Sequence, residues 1–335
     1  MQYMNKRLEY IDLAKGIGII FIIVYHLRIL PPYLLHLSGA CVPLFFILSG
    51  LFFRHTEDFK SFAIKKVNTI LVPFVFFYTI PYILFYVLES LCPGLIKTQA
   101  TGLLDVFTQD DYFNGPIWFL LSLFWDFIIL WGIFNLTKSN ILTFIGVSVI
   151  SIFGLILSKY GIFLPLKLAP AFSCLIFLYF GYVFKNWGAL DVESRKLSTL
   201  LSIGFFSFSV GLNHYFSPLY MELYNNTIVG NVVANYMIVI SFSLGVFYGC
   251  KTIGSLPFFS YFGKYSLIPL CLHHLVYRPI LLFCNALPAP PPFNSRYIVA
   301  IMTIIVLWVL MPLCLKMLPW FCGKRSLIKF ESNYK

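Results

Sequence analysis

Arg7-Leu-Glu-Tyr-Ile-Asp12-Leu-Ala-Lys15-Gly-Ile-Gly-Ile-Ile-Phe-Ile-Ile-Val-Tyr-His26 is an apolar run in which Asp12, Lys15 and His26 stand out. The run continues to about residue 30, close to the ~20 residues a transmembrane helix needs. Lys15 and His26 are eleven residues apart, so at 100° per residue they differ by only about 20° around a helix axis. Asp12 and His26 differ by about 40°, which puts all three side chains on one face. Along the axis, Lys15 and His26 are separated by about 16 Å. With Lys15 at a membrane boundary, His26 lies about halfway through a ~30 Å hydrocarbon layer. An ionisable side chain at that depth is costly and normally faces a cavity or a polar partner. The functional reading of His26 is a general base, because neutral imidazole accepts a hydroxyl proton near pH 7. The structural alternative is a histidine hydrogen-bonded in the packing. Asp12 is about 21 Å from His26 and cannot orient it on a straight helix. It is placed instead to pair with Lys15 three residues on, and Lys15 itself can also snorkel to the interface.

The rest of the chain agrees with a membrane setting. Of 335 residues, 59% are hydrophobic and only 11% charged, against roughly 25% charged in soluble chains. Ten apolar runs are expected to be helices: 11–30, 38–54, 70–91, 116–136, 140–158, 168–186, 197–216, 229–250, 264–285 and 297–318. The expected fold is all-α, a polytopic membrane helix bundle of about 10 transmembrane helices, forming one domain over residues 1–335. The first run is too long for a signal peptide, carries Asp12 and Lys15 and has no small-residue cleavage site after it, so it is expected to remain in the mature chain. With the N-terminus inside, 18 of the 24 basic residues fall in cytoplasmic loops and six outside. The outer loop after the third run carries Asp105, Asp110 and Asp111. That bias places both termini in the cytoplasm. It also explains the net charge of +11 by orientation, so no nucleic-acid partner is expected. The eight cysteines are scattered without a metal-ligand spacing, and neither a disulfide framework nor a bound metal is expected.

The Asp-x-x-Lys-Gly motif, with ten residues between Lys15 and His26, resembles the start of the membrane-bound acyltransferase 3 family. The wording Tyr-Ile-Asp-Leu-Ala-Lys-Gly-Ile-Gly-Ile-Ile is similar to its fucose 4-O-acetylase-like branch. In that family the basic residue and the histidine of this helix are implicated in acyl transfer, and they match Lys15 and His26. Phe45-Phe46-Ile-Leu-Ser49-Gly50 resembles the second-helix signature; its structural reading is that small residues let helices approach. Arg54, Lys60, Lys65 and Lys66 follow. They suit the phosphates of CoA, although the positive-inside rule alone would also place cations there. The family often carries two basic residues spaced by three before a Pro; here Lys66 fits the first position and Thr69 occupies the second.

Gly115-Pro116-Ile117-Trp118-Phe119-Leu120 resembles the family's Gly-Pro-x-Trp-Phe-Leu motif. Trp118 suits either an interfacial aromatic belt or a platform for a sugar ring. Asp126, about 15 Å into that run, can orient or charge-stabilise a histidine from a neighbouring helix, or pair with another polar group. Phe262-Gly263-Lys264-Tyr265-Ser266 followed by His273-His274 resembles the late Gly-x-x-Ser segment with its histidine, and the spacing selects His273.

The resemblance implies an O-acetyltransferase of the bacterial inner membrane. Acetyl-CoA is the expected donor, bound from the cytoplasm by Lys15, Arg54, Lys65 and Lys66. A sugar hydroxyl of a surface polysaccharide or lipid-linked glycan is the expected acceptor. His26, Asp126 and His273 are the catalytic candidates, Trp118 the acceptor contact, and Asp12, Ser49 and Ser266 the orienting residues. The rival reading is a glycolipid transporter or flippase, which often shows paired repeats or broken helices in its two halves; no such symmetry is visible in this sequence.

Overall fold

The computed structural model describes residues 8–31, 40–91, 104, 114–137, 139–286 and 295–329. Lys6, Arg7, Lys97, Asp105, Asp110, Asp111, Lys138 and Lys335, used above for orientation, lie outside the described residues, as does Cys92. Among the described residues the fold is all-α, with one two-stranded hairpin. In chain order the helices are α1 Glu9–His26, α2 Cys41–Gly50, α3 Phe59–Lys66, α4 Val72–Leu91, α5 Trp118–Leu136, α6 Asn140–Lys159, α7 Leu168–Asn186, α8 Arg195–Tyr215, α9 Val232–Ile253, α10 Pro257–Lys264, α11 Leu267–Ala286 and α12 Ser295–Met317. A π-helical turn, Val67–Leu71, joins α3 to α4. Strands β1 Tyr220–Glu222 and β2 Thr227–Val229 pair antiparallel between α8 and α9.

Each of the ten apolar runs holds a helix, and seven helices among the described residues are long and apolar enough to cross a membrane. The other three fall short for readable reasons. Helix α1 carries Glu9, Asp12 and Lys15, α2 has only 10 residues, and α8 is interspersed with Ser198, Ser202, Ser207 and Ser209. Large apolar side chains face outward along α4 (Ile83, Leu84, Val87), α6 (Ile145, Val149, Ile152) and α12 (Ile301, Ile305, Val309), as a lipid-facing surface requires. This is a multi-pass membrane protein.

Contacts divide the chain into two compact units interleaved in sequence. The first holds α1, α2, the second half of α7 from Phe177, α8, the two strands, α9 and α10. Its tightest crossing is glycine on glycine. A Cβ on Gly16 of α1 would collide with the Phe259 carbonyl of α10, and a Cβ on Gly263 would collide with the Asp12 carbonyl. Helix α2 crosses α7 in the same way, with Gly50 against the Leu178 carbonyl and Gly181 against the Ile47 carbonyl. Helices α8 and α9 are joined by hydroxyls: Ser202 Oγ donates to the Gly245 carbonyl at 2.8 Å and Ser209 Oγ to the Ile238 carbonyl at 3.2 Å. Ser198, Ser202 and Ser209 of α8 are turned inward while Leu200 and Ile203 face out, which inverts the polarity of a soluble amphipathic helix.

The second unit holds α3 to α6, the first half of α7, the hairpin tip Leu223–Asn226, α11, α12 and the segment after α12. Gly154 of α6 packs on the Ser173 backbone of α7, and Asn226 Nδ2 donates to the Gly154 carbonyl at 3.1 Å. Buried Asn114 ties two helices together, donating from Nδ2 to the Phe77 carbonyl of α4 at 3.2 Å and the Cys271 carbonyl of α11 at 2.8 Å.

The first helix differs from the sequence expectation at its end. It stops at His26, and Leu27 and Arg28 bond back to the Ile23 and Tyr25 carbonyls while Arg28 turns to φ 50°. Pro31 and Pro32 follow closely, and proline disfavours helical backbone in the residue before it. His26 is therefore the C-terminal residue of its helix, with no helical residues beyond it.

The glycine crossings give a direct test. Gly16→Ala and Gly263→Ala should each lower unfolding stability by at least about 2 kcal/mol, because the collision is with backbone and cannot be relieved by a rotamer change. A Cβ on Gly132, in the middle of α5, meets nothing within 4 Å, so Gly132→Ala should be neutral or stabilising by up to about 1 kcal/mol. Thermal unfolding of the purified protein in detergent measures both.

Candidate functional site

In the first unit, α1 is an unbroken helix from Lys15 to His26, so both side chains keep the one-face register read from the sequence. The Gly16–Gly263 crossing fixes the Lys15 end of this helix. Asp12, only 8% exposed, lies in the same turn, and its carbonyl rests on Gly263. The Lys15 ammonium lies 5.4 Å from the centre of the Phe52 ring just after α2. The Asp-x-x-Lys-Gly and Phe-Gly-Lys-Tyr-Ser motifs are thus two sides of one contact. Ser266 follows it, with its N–H donating to the Gly263 carbonyl at 3.3 Å. Ser49 stands beside Gly50 at the α2–α7 crossing, so the second-helix signature serves as a packing surface here.

At the other end of α1 the His26 ring is partly buried and packs edge-on against Tyr25, 5.6 Å between centres. Tyr25 is hydrogen-bonded to Tyr220 of β1, and Tyr220 is hydrogen-bonded to Glu222. Burial, then the neighbouring Tyr25 and Glu222, push the Tyr220 phenol up, so it stays a neutral hydroxyl. The hairpin thereby holds the helix end that carries His26.

In the second unit the site residues are arranged along α5. Its N-terminal end, the turn Gly115–Ile117, meets α11: a Cβ on Gly115 would stand 3.7 Å from Cε1 of His274. Trp118 begins the helix, is 7% exposed and packs edge-on to Tyr224 at 6.1 Å. The C-terminal half meets α3. The Lys66 ammonium sits 3.1 Å from the centre of the Phe127 ring, a cation–π contact, and Trp131 Nε1 donates to the Thr56 carbonyl at 2.8 Å. Lys66 thus packs on the residue after Asp126, not on Asp126 itself. Arg54, Lys60 and Lys65 remain exposed beside that contact in the chain.

Asp126 is fully buried, and neither carboxylate oxygen has a hydrogen-bond partner among the described residues. Such a group costs roughly 1–3 kcal/mol, so packing alone does not account for it. His273, also fully buried, places Nδ1 2.8 Å from the Pro269 carbonyl. A carbonyl only accepts, so Nδ1 carries the proton and Nε2 presents the lone pair.

Three residues of this region were not singled out from the sequence. Lys167, one of the six basic residues that the sequence places outside, is 2% exposed. Its amine donates to the Tyr224 carbonyl at 3.1 Å and lies 3.6 Å from the centre of that ring. Ser122 Oγ donates to the Lys167 carbonyl at 3.1 Å and Trp125 Nε1 to the Leu166 carbonyl at 3.2 Å, which holds Leu166 and Lys167 at φ 57° and 56°. His274, the neighbour of the histidine that the spacing selects, faces the Gly-Pro-x-Trp turn. Asn114 precedes that motif and carries no signal of its own.

A family model described as an acyltransferase domain matches residues 8–314, and the chain belongs to that family. Comparison with curated proteins and with solved structures finds no match.

If Asp126 is kept for chemistry, removing it should help the fold. Asp126→Leu should raise unfolding stability by about 1 kcal/mol or more, since an unsatisfied buried carboxyl is replaced by an apolar side chain. A lowered thermal midpoint would instead assign Asp126 a structural partner.

Proposed function

We propose that this membrane acyltransferase moves an acyl group, acetyl in the first instance, from cytoplasmic acyl-CoA to a sugar hydroxyl of an extracytoplasmic polysaccharide or lipid-linked glycan. The observation that carries this reading is the pair Lys15 and His26, held eleven residues apart on one face of an unbroken helix within the family-matched region. That spacing, about 16 Å, is long enough to separate a phosphate-binding cation from the reacting thioester of an extended donor. The bacterial inner membrane, with both termini cytoplasmic, is the proposed setting.

In the proposed reaction the acceptor hydroxyl gives its proton to the His26 imidazole and its oxygen attacks the thioester carbonyl carbon. The tetrahedral intermediate collapses with cleavage of the carbon–sulfur bond. The CoA thiolate leaves and takes the proton back from the imidazolium, so the products are the sugar ester and free CoA. Lys15, Arg54, Lys65 and Lys66 counter the donor's phosphates. Asp126 and His273 are the further ionisable members of the machinery, and Trp118 offers its ring to the acceptor sugar. Membership in an acyltransferase family argues against the transporter reading, which needs no acyl donor.

The test uses purified protein with radiolabelled acetyl-CoA and an acceptor glycan fraction. His26→Ala should retain donor binding and lose at least about 100-fold in transfer, as loss of a general base does. Lys15→Ala should weaken donor binding by about ten-fold, the value of a charge-assisted phosphate contact. Transfer by His26→Ala at the wild-type rate would refute the base assignment.

A further inference from the structure

The segment after α12 lies beyond the family-matched residues and folds back on the second unit. Leu318 to Gly323 form tight turns closed by Lys324 and Arg325 N–H groups on the Pro319 carbonyl at 2.9 and 3.2 Å. Phe321 stacks on Phe76 of α4 with 3.9 Å between ring centres. Cys322 is buried, and Gly323, at φ 64°, packs on the Thr69 backbone in the π-helical turn.

A single side chain then clamps the rest. Asn68, 4% exposed, donates from Nδ2 to the Ile64 and Ile328 carbonyls, both at 3.0 Å. Its Oδ1 accepts from the Leu327 and Ile328 N–H groups, both at 2.8 Å. All four hydrogen-bonding positions of the amide are used. An aspartate could only accept and a leucine could do neither, so the amide is specifically suited to this junction.

The consequence is electrostatic. Ile64 precedes Lys65 and Lys66, Ile328 precedes Lys329, and Gly323 precedes Lys324 and Arg325. The clamp therefore draws Lys65 toward Lys324, Arg325 and Lys329 from chain positions some 260 residues apart, while the Lys66 ammonium turns away onto the Phe127 ring. Lys65, Lys324, Arg325 and Lys329 are exposed. Lys65, Arg325 and Lys329 make no ion pair among the described residues. The nearby Asp58 is engaged in capping α3, accepting from the Lys60 and Ser61 N–H groups at 3.0 and 3.2 Å. Charge bias across a membrane asks only for cations somewhere in the loops on one side. It does not ask for a buried, fully bonded asparagine that ties two basic segments distant in sequence to each other.

We propose that the Asn68-clamped strap Leu318–Lys329 completes a phosphate-binding site, with Lys324, Arg325 and Lys329 joining Lys65 around an organic phosphate. As the phosphate end of CoA, this ligand rests on the donor reading above and adds three residues to it. The same chemistry is offered by the headgroup of an acidic phospholipid, and the experiment separates the two.

Full-length protein in phosphatidylcholine nanodiscs is titrated with CoA. The Lys324→Gln/Arg325→Gln/Lys329→Gln variant should bind CoA about ten-fold more weakly, the sum of three exposed charge contacts, with a shallower salt dependence. Asn68→Ala, which keeps every charge but frees the strap, should weaken binding by a similar factor. Lys185→Gln/Arg195→Gln/Lys196→Gln, which removes the same charge elsewhere, should change it by less than about two-fold. In parallel, retention of phosphatidylglycerol is counted by native mass spectrometry. If the strap variant keeps its CoA affinity but loses retained phosphatidylglycerol, the phosphate is a lipid headgroup. If neither changes, the strap proposal is overturned while the donor reading stands. If wild type binds no CoA, the donor reading fails and lipid retention alone decides the strap.

Discussion

Everything in the first unit depends on the backbone contact between Gly16 and Gly263. Within a membrane there is no hydrophobic gain in bringing helices together, and close packing of small residues takes its place. Here that principle has a chemical consequence. The residue before Gly16 is Lys15 and the residue after Gly263 is Lys264, so a contact that needs two absent side chains also sets where cations stand at one end of α1. The other end is held by the hairpin through Tyr25, Tyr220 and Glu222. A helix fixed at both ends keeps the eleven-residue spacing between Lys15 and His26 constant.

In the second unit α5 has the corresponding role. It is neither especially polar nor patterned, yet each of its ends is held by named groups: Asn114 and Gly115 against α4 and α11, Phe127 and Trp131 against α3 and the loop before it. Asp126 lies between these anchors with its carboxylate unsatisfied. An unsatisfied buried carboxyl is a cost to any helix in a membrane. The strained Leu166–Lys167 turn beside it, held by Ser122 and Trp125, is another cost borne in the same region.

Much of this was legible in the sequence. Each of the ten apolar runs holds a helix, and seven of these are long and apolar enough to cross a membrane, because hydropathy reports directly on the solvent a segment meets. The one-face register of Lys15 and His26 follows from helical period alone. The order of the motifs pointed to the acyltransferase family, to which the chain belongs. The helix boundary at His26 was less legible, since it is followed by a left-handed residue, Arg28, that hydropathy does not mark.

What the sequence determined by itself was therefore local: which segments are helical, which ionisable residues lie inside them, and in what order the motifs come. The tertiary structure alone decided partnership. Gly16 could not announce Gly263, nor Asn68 the backbone of Leu327 and Ile328, because periodicity and hydropathy say nothing about contacts hundreds of residues apart. Lys167 read as a loop cation because burial of a lysine depends on a carbonyl and a ring from Tyr224. A single chain read alone shows which groups are costly to bury; only the fold shows which of them have been satisfied.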